Sequence, residues 1–290
     1  MKILLLGSNG MLGQSINKVF SDKGINVITA AKRDADYCFD FTDDTLLEHC
    51  IDDANPDIII NTSAIVDLSF CENEPEKAYL VNARILGILA NICKRKNIYL
   101  IHISTDHYYT QGKHIKHNEN ENVELVNEYA RTKYLGEQLA LTHQNTLVLR
   151  TNIIGFRGSE KPTFIEWVIG ELEKGSQFNL FTDFYTSSIH TTEFAKILVD
   201  VIAKHPTGIY NLASSEVSSK KDFILSISHA LFKKEPDYKE ASVLSINDPK
   251  RASSLGLDTS KIESLIGYTM PNLKETVDSI VIDYLDRKNT

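Results

Sequence analysis

The sequence predicts an α/β protein with a doubly wound parallel sheet and a smaller C-terminal lobe. Three observations support this fold class. Short apolar segments alternate with segments of helical periodicity, a glycine-rich turn follows the first apolar segment, and the alternation becomes less regular after residue 150. Strands that alternate with helices are typical of a parallel sheet, because each crossover helix covers one face of that sheet.

The composition is that of an ordinary water-soluble enzyme-sized chain. The 290 residues are 42% hydrophobic and 24% charged, with a formal net charge of -8, which is enough apolar sequence for a large core. The negative charge argues against a nucleic-acid-binding protein, which would need a basic face. No apolar segment reaches the length of a membrane span, and Ile3–Leu6 is too short for a signal peptide.

The cysteines and histidines indicate neither disulfides nor a metal site. The chain has no C-x-x-C pair, so free and mostly buried thiols in a reducing compartment are expected, and we predict a cytoplasmic protein. His114 and His117 are close in sequence but lie in a polar stretch, which favours a solvated loop over a metal site. The four cysteines are Cys38, Cys50, Cys71 and Cys93.

A glycine motif directly follows the first predicted strand, Lys2–Leu6. Gly7, Gly10 and Gly13 have the spacing G-x-x-G-x-x-G, and the apolar residues after them repeat at helical spacing. A strand, a glycine turn and a helix in this order are typical of a Rossmann-type dinucleotide site. There the glycines permit a tight turn and close approach of a pyrophosphate, which the helix N-terminus faces.

The end of the second predicted strand, Ile25–Ala30, bears on the choice between the two nicotinamide dinucleotides. NAD sites usually have an acidic residue near this point, whereas here Lys32 and Arg33 follow the strand. A basic pair suits the 2′-phosphate of NADP, so NADPH is favoured. Asp34 and Asp36 are close enough to keep NADH as the alternative.

Further strands and helices alternate up to residue 150. The segment Asp40–Asp43 is predicted to cap a helix over Thr45–Ala54, because aspartate and threonine side chains can accept from first-turn amides. The small residues after the third strand, among them Ser63 and Ala64, would let a ligand approach the sheet edge. The other predicted elements of this half are the strands Ile58–Ile60, Tyr99–Ile103 and Thr146–Arg150, and a long helix from Glu76 to Lys96 that contains Asn82.

The predicted helix Glu128–Thr142 carries the pair that the chemistry depends on. Tyr129 and Lys133 are four residues apart, so they share one face of this helix. A lysine ammonium beside a phenol stabilises the phenolate and lowers the pKa of the phenol. Thr105 follows the strand Tyr99–Ile103, and catalytic groups are expected at such strand ends. Alone, this spacing is common, and a surface helix would be the better explanation of it.

The second half is predicted as the smaller lobe. We therefore place a dinucleotide-binding domain at residues 1–150 and a substrate-binding lobe at residues 151–290, with some segments of the lobe returning to the main sheet. The predicted elements of this half are helices near Phe164–Leu172, Thr192–Lys204, Lys220–Phe232 and Leu273–Asp286, and strands at Phe178–Phe181 and Ile209–Leu212.

These motifs together resemble the extended short-chain dehydrogenase/reductase superfamily, and within it the dTDP-4-dehydrorhamnose reductase family. The resemblance covers nearly the whole chain and rests on segments in both halves. They are Gly7–Gly13, Cys71–Glu76 with Asn82, Ser104–Asp106, Tyr129–Glu137, Leu149–Thr151, Gly208–Leu212, and Arg251–Leu255 with Asp258–Lys261.

The resemblance implies reduction of a nucleotide-linked 4-keto-6-deoxy sugar by NADPH in deoxysugar or polysaccharide biosynthesis. Tyr129 would protonate the carbonyl oxygen, Lys133 would lower the pKa of Tyr129 and bind the nicotinamide ribose, and Thr105 would orient the substrate oxygen. Implied cofactor-binding residues are Gly7, Asn9, Gly10, Met11, Leu12, Gly13, Arg33 at the 2′-phosphate, Asp40 and Phe41 near the adenine, Ser63, Ala64, Asn82 and Lys133. Implied substrate-binding residues are Asp106, His107, Asn152, Trp167 and Arg251.

Several substitutions relative to the family pattern fall where relatives face the sugar. His107 follows Ser-Thr-Asp in place of a tyrosine, Ile153 replaces a tryptophan, and Ala252 replaces a proline. The sugar is therefore not assigned. Two alternatives remain open, a nucleotide-sugar epimerase or dehydratase of the same superfamily and a non-catalytic dinucleotide-binding regulator. The oligomeric state is also open, with a homodimer as one alternative.

Overall fold

The structure is a computed structural model that describes residues 1–246 and 249–289. Within these residues the chain forms fourteen strands. They are β1 (Lys2–Leu6), β2 (Asn26–Ala31), β3 (Tyr37–Cys38), β4 (Ile58–Asn61), β5 (Tyr99–Ile103), β6 (Thr146–Arg150), β7 (Ile153–Ile154), β8 (Phe178–Phe181), β9 (Tyr185–Thr186), β10 (Ile189–His190), β11 (Gly208–Asn211), β12 (Ser218–Ser219), β13 (Tyr238–Ala241) and β14 (Ser254–Leu255).

Eleven α-helices are present in the same residues, together with a π-helical turn at Leu80–Arg84 and a 3-10 turn at Val243–Ser245. None of these helices combines the length and the apolar character needed to cross a membrane. The helices are α1 (Met11–Asp22), α2 (Asp44–Ala54), α3 (Leu68–Asn73), α4 (Pro75–Tyr79), α5 (Ile85–Lys96), α6 (Glu128–Ala140), α7 (Phe164–Lys174), α8 (Thr191–Lys204), α9 (Lys220–Phe232), α10 (Ser260–Ile266) and α11 (Leu273–Lys288).

The predicted elements are confirmed with shifts of a residue or two at most ends, but the long helix from Glu76 to Lys96 is wrong as a single α-helix. It consists of α4, the π-helical turn Leu80–Arg84 and α5. A glycine of α6 lies against this turn: a Cβ on Gly136 would be 2.2 Å from the backbone oxygen of Asn82. The π-helical turn thus lies where α6 packs very closely. The helical periodicity of the sequence does not reveal such a contact.

The described chain divides into two units. Unit 1 comprises residues 1–105, 125–150 and 195–210, and unit 2 comprises residues 106–124, 151–194 and 211–290. The predicted boundary at residue 150 thus coincides with one boundary of the units. The segment 106–124 from the first half belongs to unit 2, and the segment 195–210 from the second half belongs to unit 1.

Unit 1 is built on a seven-stranded sheet with the order β11-β6-β5-β4-β1-β2-β3. The neighbours from β6 to β3 pair in parallel, for example Leu4 of β1 with Ile28 of β2 and with Ile59 of β4. The predicted α/β fold class is confirmed. The strand order reverses between β1 and β4, and ligands of doubly wound sheets bind outside the carboxyl ends of strands at such a point.

The central strands consist mostly of apolar residues, and both of their faces are buried. All side chains of β4, β5 and β6 are buried, as expected for strands covered by helices on both sides. A hydrophobic cluster of this unit packs the sheet against α2 and α5, with Leu47, Ile51, Leu86 and Leu89 fully buried. This rigid layer fixes the strand ends that carry the candidate site.

Unit 2 contains short paired strands and three larger helices, α7, α9 and α11. Strand β9 pairs with β12 and β14, β10 pairs with β7, and β13 pairs with β8. A second hydrophobic cluster joins α7, α9 and α11 through buried residues such as Ile165, Phe223 and Ile280. Helices α7 and α11 begin at capping boxes, in which Thr163 and Asn272 each pair with a glutamate.

The prediction of a solvated loop holds for His114, which is exposed, but not for His117. His117 is buried, its ring stacks on Tyr109 with centroids 4.1 Å apart, and its Nε2 lies 3.1 Å from Oγ of Ser254. Glu121 contacts the other ring nitrogen at 2.7 Å. These partners satisfy a polar ring inside unit 2, and in the described residues no group of potential metal ligands was found.

Candidate active site

The glycine turn after β1 has the geometry of a phosphate cradle. Gly7 has φ = +86°, a backbone conformation that side chains other than hydrogen rarely permit. A Cβ on Gly13 would lie 2.3 Å from the backbone oxygen of Gly7, so a larger residue would not fit. Gly10 is the N-cap of α1, and Met11 and Leu12 form its first turn. First-turn amides have no acceptor within the helix and can bind an anion.

The cradle lies where the strand order reverses. A Cβ on Gly7 would be 2.8 Å from Oγ1 of Thr62, which follows β4 and donates to the backbone oxygen of Leu6 at 2.8 Å. Asn9 joins the loop to the end of β2, because its Nδ2 donates to the backbone oxygen of Arg33 at 2.5 Å. The residues present therefore fit a dinucleotide pyrophosphate.

The residues predicted to hold the adenosine half differ in exposure. Arg33 extends into solvent with 87% of its side chain exposed, near Asp34. Lys32 instead pairs with Asp40 at 2.9 Å, and this contact, after the backbone amide of Thr42, lowers the pKa of Asp40. Phe41 is 7% exposed and belongs to the hydrophobic cluster of the sheet.

Asn82 joins two segments of unit 1. Its Oδ1 accepts from the amide of Ile65 at 2.8 Å, and its Nδ2 donates to the oxygen of Ile65 and to Oγ1 of Thr132. Ser63 donates from its amide and its hydroxyl to Oδ1 of Asn61, and half-buried Ala64 follows it. These bonds fix the loop after β4 against α6. Whether these residues also contact a cofactor stays a prediction.

Helix α6 positions Tyr129 and Lys133. It begins after Asn127, whose side chain accepts from the amide of Ala130 at 2.8 Å, and its first amide, that of Glu128, donates to Oε1 of Glu72. Tyr129 is 8% exposed and packs with Cys71 and other residues of α3 and α4. The pair predicted from four-residue spacing is thus present on one helix, with both side chains buried.

Lys133 lies in an almost dry environment. It is 2% exposed, and its Nζ donates to the backbone oxygen of Ile103 at 2.7 Å and lies 3.3 Å from Nε2 of His102. Burial lowers the pKa of Lys133 to about 8, while the charge of Glu137 partly opposes this change. Burial, and then the charge of Lys133, hold the pKa of His102 well below its usual value.

A buried ion pair between Glu137 and Arg150 stabilises the segment around Lys133 and Thr105. Nη2 of Arg150 donates to Oε2 of Glu137 at 2.8 Å, and Oγ of Ser104 donates to the other oxygen of Glu137 at 2.5 Å. Glu137 and Arg150 are 0% and 2% exposed. The network joins α6 to the ends of β5 and β6, which are also tied by the amide of Ser104 and the oxygen of Leu149. It therefore fixes the position of Thr105, which is 3% exposed.

In unit 2, Asp106 and His107 lie in polar surroundings that the fold has built around them. Nδ2 of Asn152 donates to Oδ2 of Asp106 at 2.7 Å, and Oγ of Ser188 donates to Oδ1 of Asn152 at 2.7 Å. Burial, followed by the charges of Arg251 and Lys220, lowers the pKa of His107 to about 4. The structure thus brings four of the predicted substrate residues of this unit into one group.

Trp167, the fifth of these residues, is at the edge of that group. It lies on α7, is 46% exposed, and contacts the rings of Phe164 and Phe178 with centroids 6.2 and 5.8 Å away. Phe164 in turn packs under the ammonium of Lys220 at 4.7 Å from the ring centre. The ring of Phe164 therefore lies between Trp167 and the ammonium of Lys220.

Three features of the site were not predicted from the sequence. His102 is an imidazole within the apolar strand β5, a pattern that could have indicated a buried functional ring. Glu137 and Arg150 are charged residues on buried elements, which predicts a buried pair. Lys220 gave a weaker signal, a cation at a helix N-terminus where the helix dipole disfavours positive charge.

The fold and this arrangement define an α/β dinucleotide-binding protein of the short-chain dehydrogenase/reductase type. A family model, the RmlD substrate binding domain, matches residues 1–285. The chain belongs to this family, which confirms the family predicted from the motifs.

Individual proteins resemble the chain over nearly its full length. A probable low-salt glycan biosynthesis reductase, Agl14 of Haloferax volcanii, is 26% identical and covers 99% of each chain. A hypothetical dTDP-4-dehydrorhamnose reductase of Sulfolobus tokodaii is 28% identical in sequence with a TM-score of 0.83, and covers 95% of this chain and 99% of that one. The dTDP-4-dehydrorhamnose reductase of Bacillus anthracis, in complex with NADP, has a TM-score of 0.87 at 20% identity and covers 98% and 100%.

Proposed function

We propose that the protein reduces the carbonyl group of a nucleotide-linked 4-keto-6-deoxy sugar with NADPH, in deoxysugar or polysaccharide biosynthesis. Family membership supports this proposal, since relatives named as reductases match nearly the whole chain. The observation that carries it is the buried pair on α6. Tyr129 and Lys133 lie one turn apart with 8% and 2% exposure, and Thr105 directly follows β5.

In the proposed reaction, NADPH held at the glycine turn of Gly7, Gly10 and Gly13 would supply the hydride for the carbonyl carbon. Tyr129 donates its phenolic proton to the carbonyl oxygen, so the carbonyl becomes a hydroxyl and the phenol becomes a phenolate. The ammonium of Lys133 stabilises that phenolate, because an opposite charge nearby favours the ionised form. Thr105 orients the oxygen with its hydroxyl, and water later returns the proton to Tyr129.

The buried position of Lys133 makes its charge effective. An ion pair is far stronger in a dry protein environment than in water, since the effective dielectric constant is lower. The pKa of about 8 keeps most of the lysine protonated at neutral pH. In unit 2, Asp106, Asn152, His107 and Arg251 are proposed to hold the sugar nucleotide, and the polar contacts of Asp106 and Asn152 preorganise two of them.

The proposal is tested by mixing the purified protein with NADPH and a panel of nucleotide-linked 4-keto-6-deoxy sugars. Loss of NADPH absorbance with at least one member is expected. No oxidation with any of them would contradict the proposal. Tightly bound NAD in the purified protein, with turnover but no net oxidation, would instead favour an epimerase or dehydratase.

The variant Tyr129→Phe separates an enzyme from a dinucleotide-binding regulator. It removes only the phenolic oxygen, so NADPH should still bind while reduction falls by at least about a hundredfold, the usual contribution of a general acid. Biological activity that persists unchanged in this variant would identify a regulator. NADPH binding by calorimetry is the matched control for folding.

Location and assembly also belong to the proposal. We propose a cytoplasmic enzyme without nucleic-acid partners, supported by the net charge of -8, and with a homodimer as the assembly to be tested. Analytical ultracentrifugation at several protein concentrations distinguishes a monomer from a dimer. Fractionation of the source cells tests the location.

A further inference from the structure

Lys220 occupies a position that the fold itself does not favour. It is the first residue of α9, directly after the N-cap Ser219, whose Oγ accepts from the amide of Asp222 at 3.0 Å. The N-terminus of a helix carries partial positive charge, which disfavours a lysine there. A negatively charged partner would offset this unfavourable interaction between the lysine and the helix dipole.

The ammonium of Lys220 lies among aromatic rings. Its Nζ is 4.7 Å from the ring centre of Phe164, 5.6 Å from that of Phe223 and 5.8 Å from that of Phe184. Ring faces attract a cation, but they do not replace the oxygen acceptors that an ammonium has in water. Within residues 1–246 and 249–289, Nζ of Lys220 forms neither a hydrogen bond nor an ion pair.

Lys220 is desolvated and still accessible. The surrounding protein lowers its pKa to about 8, with the charge of Asp106 opposing this change, yet the residue is only partly buried. The three N–H donors of Nζ form no hydrogen bond to the described residues, so they stay unsatisfied unless a ligand accepts from them.

Arg251 is a second cation of the same kind. Its Nε is buried without a hydrogen-bond partner, and in the described part of the chain its guanidinium takes part in no ion pair. The charges of Arg251 and Lys220 both lower the pKa of His107, so both cations lie close to that ring. The one carboxylate that acts on Lys220 is that of Asp106, which already accepts from Asn152.

A desolvated ammonium at Lys220 and a buried guanidinium nitrogen at Arg251, both without an acceptor in the described part of the chain, are costly unless a ligand supplies the missing negative charge. We propose that Lys220 and Arg251 form an oxyanion subsite of unit 2 that binds a carboxylate or phosphate group of the substrate. Lys220 is the residue that determines selectivity for this anion. The inference rests on the proposed function in so far as the ligand is a nucleotide sugar, whose anion is either its diphosphate or an acidic group on the sugar.

Calorimetric titration of the full-length protein tests the subsite. The ligands are UDP, dTDP, GDP and CDP, followed by the glucose and glucuronate esters of the nucleoside diphosphate that binds. Lys220→Met preserves an unbranched side chain over the three rings but removes the charge. We expect at least about tenfold weaker binding, as for the loss of a charge-assisted hydrogen bond. Lys220→Arg should restore most of the affinity.

The neighbouring residue supplies a matched control. Lys221 lies one position further along α9, and its ammonium pairs with Glu240. Lys221→Met should leave every ligand affinity unchanged. Equal weakening of all ligands in Lys220→Met assigns the subsite to the diphosphate, whereas weakening for the glucuronate ester alone assigns it to an acid on the sugar. Unchanged affinities in Lys220→Met, or a wild-type protein that binds none of these anions, would overturn the inference.

A second readout follows the titration of the His107 ring instead of a binding constant. An anion between the two cations should raise the pKa of His107 above its value of about 4, and nuclear magnetic resonance of the ring follows this change. Lys220→Met should raise the same pKa without a ligand. NADPH oxidation is measured separately, so a protein that binds the anions but reduces no 4-keto sugar contradicts the proposed reaction and leaves the subsite intact.

Discussion

Nζ of Lys133 lies 3.3 Å from Nε2 of His102, and the surroundings determine which atom carries the hydrogen. Oδ1 of Asn61 accepts from the amide of Ser63 at 3.2 Å, so Nδ2 of Asn61 faces Nδ1 of His102 at 3.3 Å. Because Nδ1 must accept from Nδ2, the neutral ring carries its hydrogen on Nε2. That hydrogen points at Lys133 and favours an uncharged amine, in addition to the effect of burial.

Asn61→Asp should therefore raise the pKa of Lys133. A carboxylate can accept from Nδ1–H, which moves the ring hydrogen away from Nε2 and lets Nε2 accept from the ammonium. The kcat/KM for reduction should fall as pH rises through about 8 in the wild type, because Lys133 loses its proton there. In Asn61→Asp this decline should move to higher pH.

The same substitution in a His102→Phe background separates the ring hydrogen from the added charge. If the tautomer matters, the shift of the alkaline limb should be smaller there than in the presence of His102. An alkaline limb that does not move in Asn61→Asp would show that burial alone sets the pKa of Lys133.

Lys133 should also reduce the stability of the cofactor-free protein at neutral pH. Its pKa falls from 10.5 to about 8 on folding, so both states are protonated below pH 8 and the folded state has the cost of a buried charge. Between pH 8 and 10.5 only the unfolded state holds the proton, and stability therefore rises with pH. The difference corresponds to about 3 kcal/mol.

Urea denaturation of wild type and Lys133→Met at several pH values measures this effect. The free energy of unfolding of the wild type relative to the variant should be constant below pH 8 and rise by about 3 kcal/mol up to pH 10.5. Other groups titrate equally in both proteins and cancel. A difference that is flat over this range would mean that Lys133 keeps an ordinary pKa.

Arg33 should distinguish the two dinucleotides. Its side chain is exposed and adjacent to the glycine turn through the bond between Asn9 and its backbone oxygen. Arg33→Ala should raise the KM for NADPH by about tenfold, as expected for one lost contact to a phosphate. The KM for NADH should not change. Equal effects on both dinucleotides would place the 2′-phosphate elsewhere.

Local sequence predicted most of unit 1. The strand β1, the glycine turn and α1 follow from neighbouring residues, as does the pair Tyr129 and Lys133, because four-residue spacing on a helix is a local property. The environment of that pair was not predictable. His102 and Asn61 lie on different strands, β5 and β4, and meet only because these strands pair in one register.

The features that the sequence did not predict depend on distant partners. His117 is polar and lies in a polar segment, but Ser254, which is 137 positions away, provides one of its contacts. The environment of Lys220 is formed by Phe164, Phe184 and Arg251, which are distant in sequence. The π-helical turn in the helix predicted from Glu76 to Lys96 lies where Gly136 of α6 packs closely.

The thiols should differ in reactivity. Burial raises the pKa of Cys50 and Cys93 to about 12 and that of Cys71 to about 11, whereas Cys38 is exposed. The thiolate is the nucleophile, so iodoacetamide should modify one cysteine in the native protein at pH 8, and mass spectrometry should locate it at Cys38. All four should react in denaturant. Rapid labelling of Cys71 in the native state would show that the segment under Tyr129 opens.

Gly136 should tolerate no side chain, because α6 packs directly on the π-helical turn. An alanine Cβ would lie 2.2 Å from the backbone oxygen of Asn82, and backbone cannot move aside as a flexible side chain can. We expect Gly136→Ala to destabilise the protein by about 2 kcal/mol or more, as overpacking does. It should also reduce activity, since Asn82 and Thr132 tie this turn to the helix that carries Lys133.

The matched control is Gly170→Ala on α7, where nothing lies within 4 Å of the added Cβ. Alanine there should stabilise by about 0.5–1 kcal/mol, because glycine is the poorer helix former. Urea denaturation measures both values. Equal effects of the two substitutions would mean that α6 can move away from the turn at little cost.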